Sequence, residues 1–354
     1  MNLQDTFPVP SNLAPRETRR HLRDIGTASM SNFTSSALVT GGTTGLGLHA
    51  AEEIAGQHPD YCVVIASRKD ADGSAELINQ RLGGGAHRVQ FMALDLGDLK
   101  SVRSFVKAWK EKSLPPISVL LLNAGSQFPF GLKYTVDGFE ATFGVNHVGH
   151  ALLFSLMQPY LADEARIVVT ASGTHDPLQK TGMPNANYTT AEELAHPTGS
   201  ALKAPGRQHY TTSKLCNILW TYALDRRLRR LQPGKKWTVV AFDPGLMPGT
   251  GLARQYPAFL RFMWKRVLPA LIPLLRLVLS PNIHRPQESG AALAWLALDA
   301  EARGASGVYF EGRKQIKSSA DSYDEAKQEE LWSWTVKTLA GDEQERRLFE
   351  VVQA

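Results

Sequence analysis

The sequence predicts an α/β protein with a Rossmann-type, doubly wound parallel sheet in three layers, α/β/α. Two observations carry this prediction: short apolar runs alternate with helical segments, and a glycine-rich loop follows the first run. Uninterrupted apolar runs of this kind are typical of parallel strands that helices cover on both faces. Such sheets bind ligands at the carboxyl ends of their strands, so functional residues are expected there.

Six strands are predicted before residue 245. They are 37–40, 61–66, 89–94, 118–122, 166–171 and 237–242. The clearest helical patterns between them are 45–57 and 101–110. A later polar helix is predicted at 324–339, and its Trp332 and Trp334 are expected to pack back on the sheet.

Composition limits the classes of function. The 354 residues, 43% of them hydrophobic, suit one domain over 35–354 after an N-terminal extension at 1–34. The net charge of +5, without a basic block interleaved with aromatic residues, argues against nucleic-acid binding. No secretory signal is visible, so a cytoplasmic protein is expected, with membrane association left open. Cys62 and Cys216 belong to no metal or disulfide motif, so neither kind of site is expected.

The glycine-rich loop joins the first strand to the first helix. Glycines let the backbone approach a pyrophosphate closely, and the helix N-terminus attracts its charge. The loop therefore predicts a nucleotide site that includes Gly41, Thr43, Thr44, Gly45, Leu46 and Gly47. The alternative is a turn that only packs the helix on the strand.

Tyr210 and Lys214 lie four residues apart in a predicted helix, so both side chains leave one face about 40° apart. A phenol has an ordinary pKa of about 10. A neighbouring ammonium favours the phenolate and lowers that pKa. The pair therefore predicts proton transfer with an alcohol or carbonyl oxygen near neutral pH.

The glycine loop, Asn123-Ala124-Gly125 after the fourth strand, and Tyr210-x-x-x-Lys214 together resemble the short-chain dehydrogenase/reductase family over roughly residues 35–315. The resemblance implies that Tyr210 is the acid/base and that Lys214 lowers its pKa and holds the nicotinamide ribose. It also implies that Ser172 hydrogen-bonds the reacting oxygen and that Asn146 anchors a water relay to Lys214.

The same resemblance implies further cofactor contacts. They involve Asn123, Ala124 and Gly125 near the adenine ribose, Asp95 and Leu96 at the adenine, and Pro244, Gly245 and Thr250 at the nicotinamide. For Asp95 a helix cap near Leu99 remains the alternative. His147 and His150 are expected to pack or cap rather than to catalyse.

The residues after the second strand favour NADP(H) over NAD(H). An NAD enzyme usually places a carboxylate there for the ribose 2′-hydroxyl, whereas this chain has Ser67 followed by Arg68 and Lys69. A guanidinium binds phosphate in a bidentate manner. Asp70 lies further along. The alternative is two solvated surface cations.

An insertion at 173–208 separates Ser172 from Tyr210 and is expected to be an ordered loop at best. Similarity around Tyr210–Asn217, Pro244–Leu252 and Glu288–Gly290 points to the branch of the retinol dehydrogenases and the light-dependent protochlorophyllide reductase. Thr211-Thr212 replaces a Lys-Asp pair of the pigment reductase, so that enzyme's photochemistry is not implied.

A substrate lid is expected at about 250–285, the most apolar and also a basic part of the chain. Such a lid suits a greasy substrate or contact with a membrane surface. The alternative is a helical flap packed on its own domain. A homo-oligomer also stays open.

The function predicted is an NADP(H)-dependent oxidoreductase that interconverts a carbonyl and an alcohol on a hydrophobic small molecule. Reduction of a conjugated C=C bond is a related alternative. A non-enzymatic NADP-sensing protein is the alternative from another class.

Overall fold

The computed structural model describes residues 33–84, 87–231 and 234–350. The predicted N-terminal extension at 1–34 therefore lies almost entirely outside the described residues.

The described part of the chain contains one sheet of eight strands. The strands are β1 (Ser35–Thr40), β2 (Tyr61–Ser67), β3 (Val89–Ala93), β4 (Ile117–Leu122), β5 (Leu161–Thr170), β6 (Lys236–Asp243), β7 (Val308–Glu311) and β8 (Lys314–Ile316). Their order is β3-β2-β1-β4-β5-β6-β7-β8. Strands β1 to β7 are parallel, and β8 is antiparallel to β7. The six predicted strands are confirmed, whereas β7 and β8 were missed.

Helices connect the strands and cover both faces of the sheet. The α-helices are α1 (Gly45–Gln57), α2 (Ser74–Arg81), α3 (Leu99–Lys112), α4 (Ala141–Phe143), α5 (Gly149–Met157), α6 (Ala191–Ala195), α7 (Gly206–Leu231), α8 (Ala258–Phe262), α9 (Ile272–Val278), α10 (Pro286–Leu298), α11 (Ala300–Arg303), α12 (Glu325–Leu339) and α13 (Glu343–Phe349). Two π-helical turns are Gly144–Val148 and Met263–Val267. Short 3₁₀ turns are Gln158–Tyr160, Gly173–His175, Pro177–Gln179, Ala201–Lys203, Gly251–Gln255, Leu268–Leu271 and Ala320–Tyr323.

Alternate side chains of each strand enter two different hydrophobic cores. Leu38 of β1 packs with Phe105 of α3 and Phe154 of α5 in one core. Its neighbour Val39 packs with Ile54 of α1 and, through the second core, with Leu293 of α10. This division confirms the predicted three-layer α/β/α architecture, since a parallel sheet buried on both faces needs helices on each.

The helix predicted at 324–339 is confirmed as α12, but its packing differs from the prediction. Asp324 caps the helix by accepting hydrogen bonds from Ala326 N and Lys327 N. Trp332 stacks on Trp220 of α7 with ring centroids 6.2 Å apart, and the Arg227 guanidinium lies 4.1 Å from the Trp332 ring. Helix α12 thus packs on α7, because α7 already covers the sheet there.

The insertion at 173–208 is more ordered than predicted. It contains α6, several 3₁₀ turns and the beginning of α7. Asn187 N donates to Thr212 Oγ1 at 3.0 Å, Ala191 N donates to Glu330 of α12, and the Tyr188 hydroxyl bonds the same carboxylate. These long-range bonds to α7 and α12 could not be recognised from the loop composition of the insertion.

The segment predicted as a lid, at about 250–285, leaves the sheet after β6, and its two ends are hydrogen-bonded to each other. Leu246 N donates to Asn282 O at 2.9 Å, and His284 N donates to Leu246 O at 2.9 Å. These bonds join the two ends of the segment at the carboxyl end of β6. Its middle consists of α8, the second π turn and α9. Among the described residues, no helix is long and apolar enough to cross a membrane.

Candidate active site

The Thr40 hydroxyl joins the ends of β1 and β4. Thr40 Oγ1 accepts from Asn123 N at 2.8 Å and from Ala124 N at 3.0 Å. Asn123 Nδ2 donates to Thr40 O at 2.9 Å. Because β1 and β4 flank the point where the strand order reverses, this junction fixes the two loops between which ligands bind in such folds.

The glycine loop fits a bound pyrophosphate. Gly41 has a φ of +69°, which L side chains rarely adopt. A Cβ on Gly47 would stand 2.5 Å from Gly41 O and 2.6 Å from Asn123 Nδ2. Thr44 is the N-cap residue of α1, and within the described residues no side chain caps this N-terminus. The first turn of α1 contains no acidic residue. Its free N–H groups and positive end can therefore accept an anion.

Asp95 is not a helix cap. Its Oδ1 accepts from Gly97 N at 2.9 Å, whereas Asp98 caps α3 through bonds from Lys100 N and Ser101 N. The alternative that Asp95 caps a helix near Leu99 is therefore wrong. Leu96 is buried beside it. The expected contact of Asp95 and Leu96 with adenine stays a prediction.

Tyr210 and Lys214 lie on the buried face of α7 at the carboxyl end of β5. Tyr210 is 8% exposed and Lys214 only 3% exposed. Lys214 Nζ donates to Thr170 O at 3.0 Å and lies 5.7 Å from the centre of the Tyr210 ring. Asn217, one turn later, donates to the same carbonyl at 3.0 Å. The last carbonyl of β5 thus holds the lysine in place.

The pKa of Tyr210 differs from the sequence-based expectation. Burial and the negative charge of Asp243 raise this pKa above its ordinary value, and the hydrogen bond with Ser172 opposes them. Burial lowers the pKa of Lys214 to about 8, although the Asp243 charge raises it. The prediction that the ammonium lowers the phenol pKa overlooked desolvation, which disfavours both charged forms. The phenol is therefore protonated at neutral pH.

Asp243, which ends β6, is a buried carboxylate at this site. It is 1% exposed. Its Oδ1 accepts from Gly245 N at 3.0 Å, and its Oδ2 accepts from Asn282 Nδ2 at 2.9 Å. Asp243 therefore ties both ends of the lid to the sheet and also supplies the negative charge that acts on Tyr210 and Lys214.

Ser172 lies two residues after the end of β5 and bonds Tyr210. Its Oγ accepts from Thr174 N at 3.3 Å, so it also caps the 3₁₀ turn Gly173–His175. His175 Nδ1 bonds Ser172 O at 2.7 Å, and its Nε2 accepts from Ser319 N at 3.0 Å. This buried histidine fixes the backbone of Ser172 from behind.

Asn146 lies in the π turn between α4 and α5. Its Oδ1 accepts from Ser126 N at 2.7 Å, and its Nδ2 donates to Ser126 O and Ser213 Oγ, both at 3.0 Å. A Cβ on Gly125 would stand 3.6 Å from both Asn146 Oδ1 and Lys214 Nζ. Asn146 and Lys214 thus flank the same backbone segment. π turns occur frequently at functional sites.

His147 and His150 are buried and bonded within the protein. His147 Nε2 lies 3.4 Å from Thr335 Oγ1, and its ring stacks on Phe143. His150 bonds Thr40 Oγ1 at 2.9 Å and Asn146 O at 3.1 Å. Burial lowers the pKa of His147 to about 3 and that of His150 to about 4, so both are neutral at pH 7. Their contacts match the expected packing roles.

The corner after β2 presents cations and neutral groups. Thr43 Oγ1 donates to Ser67 Oγ at 2.9 Å. Arg68 and Lys69 are exposed, and neither forms a salt bridge within the described ranges. The Asp70 carboxylate accepts from Ser74 N at 2.7 Å and from Ala75 N at 3.1 Å. Asp70 is thus occupied with the start of α2.

The start of the lid lies over the glycine loop. A Cβ on Gly45 would stand 3.6 Å from Thr250 Cγ2, and Trp264 Nε1 donates to Thr250 O at 3.0 Å. Pro244 O accepts from Ser289 Oγ at 2.8 Å. Arg254 donates to Ser126 Oγ at 2.6 Å, so its guanidinium bridges the lid and the loop after β4. The lid, the glycine loop and the loop after β4 thus meet at the carboxyl edge of the sheet.

Sequence reasoning missed five residues that organise this edge. They are Thr40, Ser126, His175, Asp243 and Arg254. Thr40 precedes the glycine loop, Ser126 follows Asn123-Ala124-Gly125, and Asp243 precedes the Pro-Gly pair, so these three had position beside a motif as a signal. His175 and Arg254 adjoin no predicted motif, and the sequence offered no signal for them.

Comparison with known proteins agrees with this arrangement. A family model for short chain dehydrogenase matches residues 35–191, and one for the AcuH dehydrogenase domain matches 252–347. Polyprenol dehydrogenase of Danio rerio is 32% identical over 304 residues, which cover 84% of each chain. Retinol dehydrogenase 14 of Mus musculus is 32% identical over 308 residues, covering 84% of this chain and 83% of the relative.

A solved structure of an angucycline C-6 ketoreductase with bound NADP has a TM-score of 0.55 at 20% identity. The superposed region covers 79% of this chain and 94% of the ketoreductase chain. At this identity the likeness shows the fold alone.

Burial of the Lys214 ammonium should lower the free energy of unfolding at neutral pH. Its pKa is about 8 in the folded chain, against about 10.4 for an unfolded lysine. Between these two pH values the unfolded state binds more protons than the folded state, so the free energy of unfolding rises with pH. Below about pH 8 the folded chain carries the full cost of burying the Lys214 charge. Lys214→Met removes this penalty. We expect it to raise the free energy of unfolding at pH 7 by up to about 3 kcal/mol, as measured by denaturant unfolding.

The gain should shrink as the pH rises from about 8 and approach zero above about pH 10.4, where the unfolded state has also released its proton. Exposed Lys337 provides the control, and Lys337→Met should show no such pH-dependent gain. Equal effects of Lys214→Met at pH 7 and pH 10 would rule out the buried charge as the cause.

Proposed function

The chain belongs to the short-chain dehydrogenase family, in the branch of the retinol dehydrogenases, and from this premise we propose that it uses NADP(H) to interconvert a carbonyl and an alcohol on a hydrophobic small molecule. That it is an oxidoreductase acting on carbonyl or alcohol groups with NAD(P)(H) follows from the family. One observation carries the finer proposal: Tyr210 and Lys214 are buried together beside Ser172.

In the reducing direction, Tyr210 donates its proton to the substrate oxygen. Its raised pKa keeps the phenol protonated beforehand, and Ser172 bonds the same oxygen to orient it. The phenolate that results lies beside the Lys214 ammonium, whose pKa of about 8 keeps it charged at neutral pH. The glycine loop, Arg68 and Lys214 would hold NADPH, which when bound would supply a hydride to the carbonyl carbon. Oxidation of the alcohol reverses these transfers.

Asn146 would support proton return to the site. It is fixed by Ser126 and Ser213 and flanks Gly125 together with Lys214. We propose that it anchors a water relay to the Lys214 ammonium, which restores the Tyr210 proton after each turnover. Its role is thus to position, since its amide has no acidic proton to give at neutral pH.

The cationic corner after β2 supports the preference for NADP(H). Arg68 and Lys69 are exposed, and Asp70 is occupied by backbone N–H groups of α2. Arg254 is a third cation near this corner. Burial lowers the Arg254 pKa most, and the positive charge of Arg68 lowers it further, which indicates that the two guanidinium groups lie close enough to interact. Like charges held close together favour an anionic ligand between them. The 2′-phosphate of NADP(H) is such a ligand.

The hydrophobic substrate is proposed from the lid and from the relatives. The lid at about 250–285 is the most apolar part of the chain, and it begins over the glycine loop, where a Cβ on Gly45 would stand 3.6 Å from Thr250 Cγ2. Two relatives are a polyprenol dehydrogenase and a retinol dehydrogenase by name. Both names describe long apolar alcohols, which an apolar lid could cover.

Turnover with Tyr210→Phe tests the proposed chemistry. NADPH consumption is measured with a panel of hydrophobic aldehydes, ketones and enones. We expect the wild type to reduce a carbonyl compound and the variant to lose at least about 100-fold in kcat, because the proton donor is missing. NADPH affinity should remain. Unchanged turnover in the variant would exclude the role of Tyr210, and turnover confined to C=C bonds would favour the alternative reaction.

The cofactor assignment predicts a selective effect of Arg68→Ala. A charge-assisted bidentate contact contributes about 1.5–3 kcal/mol, so the Kd for NADPH should rise roughly 10- to 100-fold. The Kd for NADH should change less than about twofold, since it has no 2′-phosphate. Binding is followed by nicotinamide fluorescence. Exposed Arg230 provides the control, and Arg230→Ala should alter neither Kd; equal weakening of both cofactors by Arg68→Ala would contradict the assignment.

A further inference from the structure

The outer surface of the lid is strongly apolar and exposed among the residues that the structure describes. The lid packs on the domain mainly through Ala253 and Ile272, and Trp264 bonds Thr250 O on the inner side. Its outward side chains, here called the lid face, are exposed by 55–85%: Phe259, Phe262, Leu274, Leu277, Val278 and Leu279. The lid therefore packs on its own domain along one side and leaves the side chains of the lid face exposed.

The charges on the lid are all of one sign. Between Asp243 and Glu288 the sequence contains no aspartate or glutamate. Arg261, Lys265 and Arg266 are exposed among the apolar side chains of the lid face. Long basic side chains can place their charges in water or at phosphate groups while their stems lie along apolar surface.

We propose that the lid face lies on an anionic lipid membrane surface. Apolar side chains interleaved with basic ones, without acidic residues, are the pattern of interfacial segments that bind such surfaces. The apolar groups would enter the boundary between headgroups and acyl chains, and Arg261, Lys265 and Arg266 would contact lipid phosphates. The partner is therefore identified by two independent features of the same surface.

A second copy of this chain fits the lid face less well. In a symmetric dimer the same surface meets itself, so Arg261, Lys265 and Arg266 of both copies would lie close together. No acidic residue of the lid could balance these charges. Like charges brought together at an interface are unfavourable.

The membrane surface would also bring the substrate to the site. The lid begins at Thr250 beside the glycine loop, and Asp243 at its base acts electrostatically on Tyr210. A lipid-dissolved alcohol or carbonyl compound would thus meet the lid before the catalytic residues. This consequence alone rests on the proposed function, whereas membrane binding does not depend on turnover.

Vesicle co-sedimentation of the full chain tests the proposal directly. The vesicles contain phosphatidylcholine alone or with about one third phosphatidylserine. We expect binding to the anionic vesicles and much weaker binding to the neutral ones. The variant Arg261→Gln/Lys265→Gln/Arg266→Gln should bind the anionic vesicles about 100-fold more weakly, since each basic residue contributes about fivefold. Phe259→Ser/Leu277→Ser/Leu279→Ser should bind at least about tenfold more weakly.

Matched controls lie elsewhere on the surface. Val136→Ser/Leu178→Ser removes two apolar side chains that are 78% and 84% exposed outside the lid, and it should leave vesicle binding unchanged. Circular dichroism and the thermal midpoint establish that each variant is folded. Lack of binding by the wild type, or equal binding by wild type and both lid variants, would overturn the proposal. The proposal would also be overturned if the wild type does not bind vesicles, sedimentation velocity shows that it forms a dimer, and the apolar lid variant abolishes that dimer.

Discussion

The exclusion of water from Tyr210, Lys214 and Asp243 is the constraint on which the site depends. Burial disfavours the charged forms of Tyr210 and Lys214; the Asp243 charge adds to this effect on Tyr210 and opposes it on Lys214. The Asp243 charge helps to keep Lys214 protonated and keeps the Tyr210 proton bound. A buried lysine without a nearby negative charge would more readily be neutral and could not stabilise a phenolate. The three side chains therefore act as one electrostatic unit.

The fold brings this unit together from distant parts of the chain. β5 ends at Thr170, whose carbonyl holds Lys214, and β6 ends at Asp243 beside it. On the other side, the Thr40 hydroxyl fixes the glycine loop against Asn123. The same Asp243 carboxylate holds Asn282 at the base of the lid. The buried Tyr210–Lys214 pair, the glycine loop and the lid thus share one set of strand ends.

Much of this arrangement could be predicted because its signals are local. The six predicted strands are uninterrupted apolar runs, and Tyr210 and Lys214 share one helix. The hairpin of β7 and β8 was missed because its strands are short and half polar, as in Lys314–Ile316. The packing of Trp332 on Trp220 joins parts of the chain more than a hundred residues apart, and no local pattern encodes it.

The pKa of Tyr210 shows the same limit at the site. The spacing to Lys214 correctly predicted a close pair, but the direction of the pKa shift depends on burial and on Asp243. Both arise only when β6 lies beside β5. Sequence motifs therefore identified which groups would meet, whereas the free energies of their charged states required the folded surroundings.

The electrostatic unit is tested most directly by the pH dependence of kcat/KM in the Asp243→Asn variant. Lys214, with a pKa of about 8, should set the alkaline limb of the wild-type profile. The Asp243 charge raises the pKa of both Lys214 and Tyr210, so its removal should move this limb to lower pH. Asn282→Ala breaks the bond to Asp243 but keeps the charge, and its alkaline limb should stay in place. An unmoved limb in Asp243→Asn, or an equal shift in Asn282→Ala, would contradict the role of the buried carboxylate.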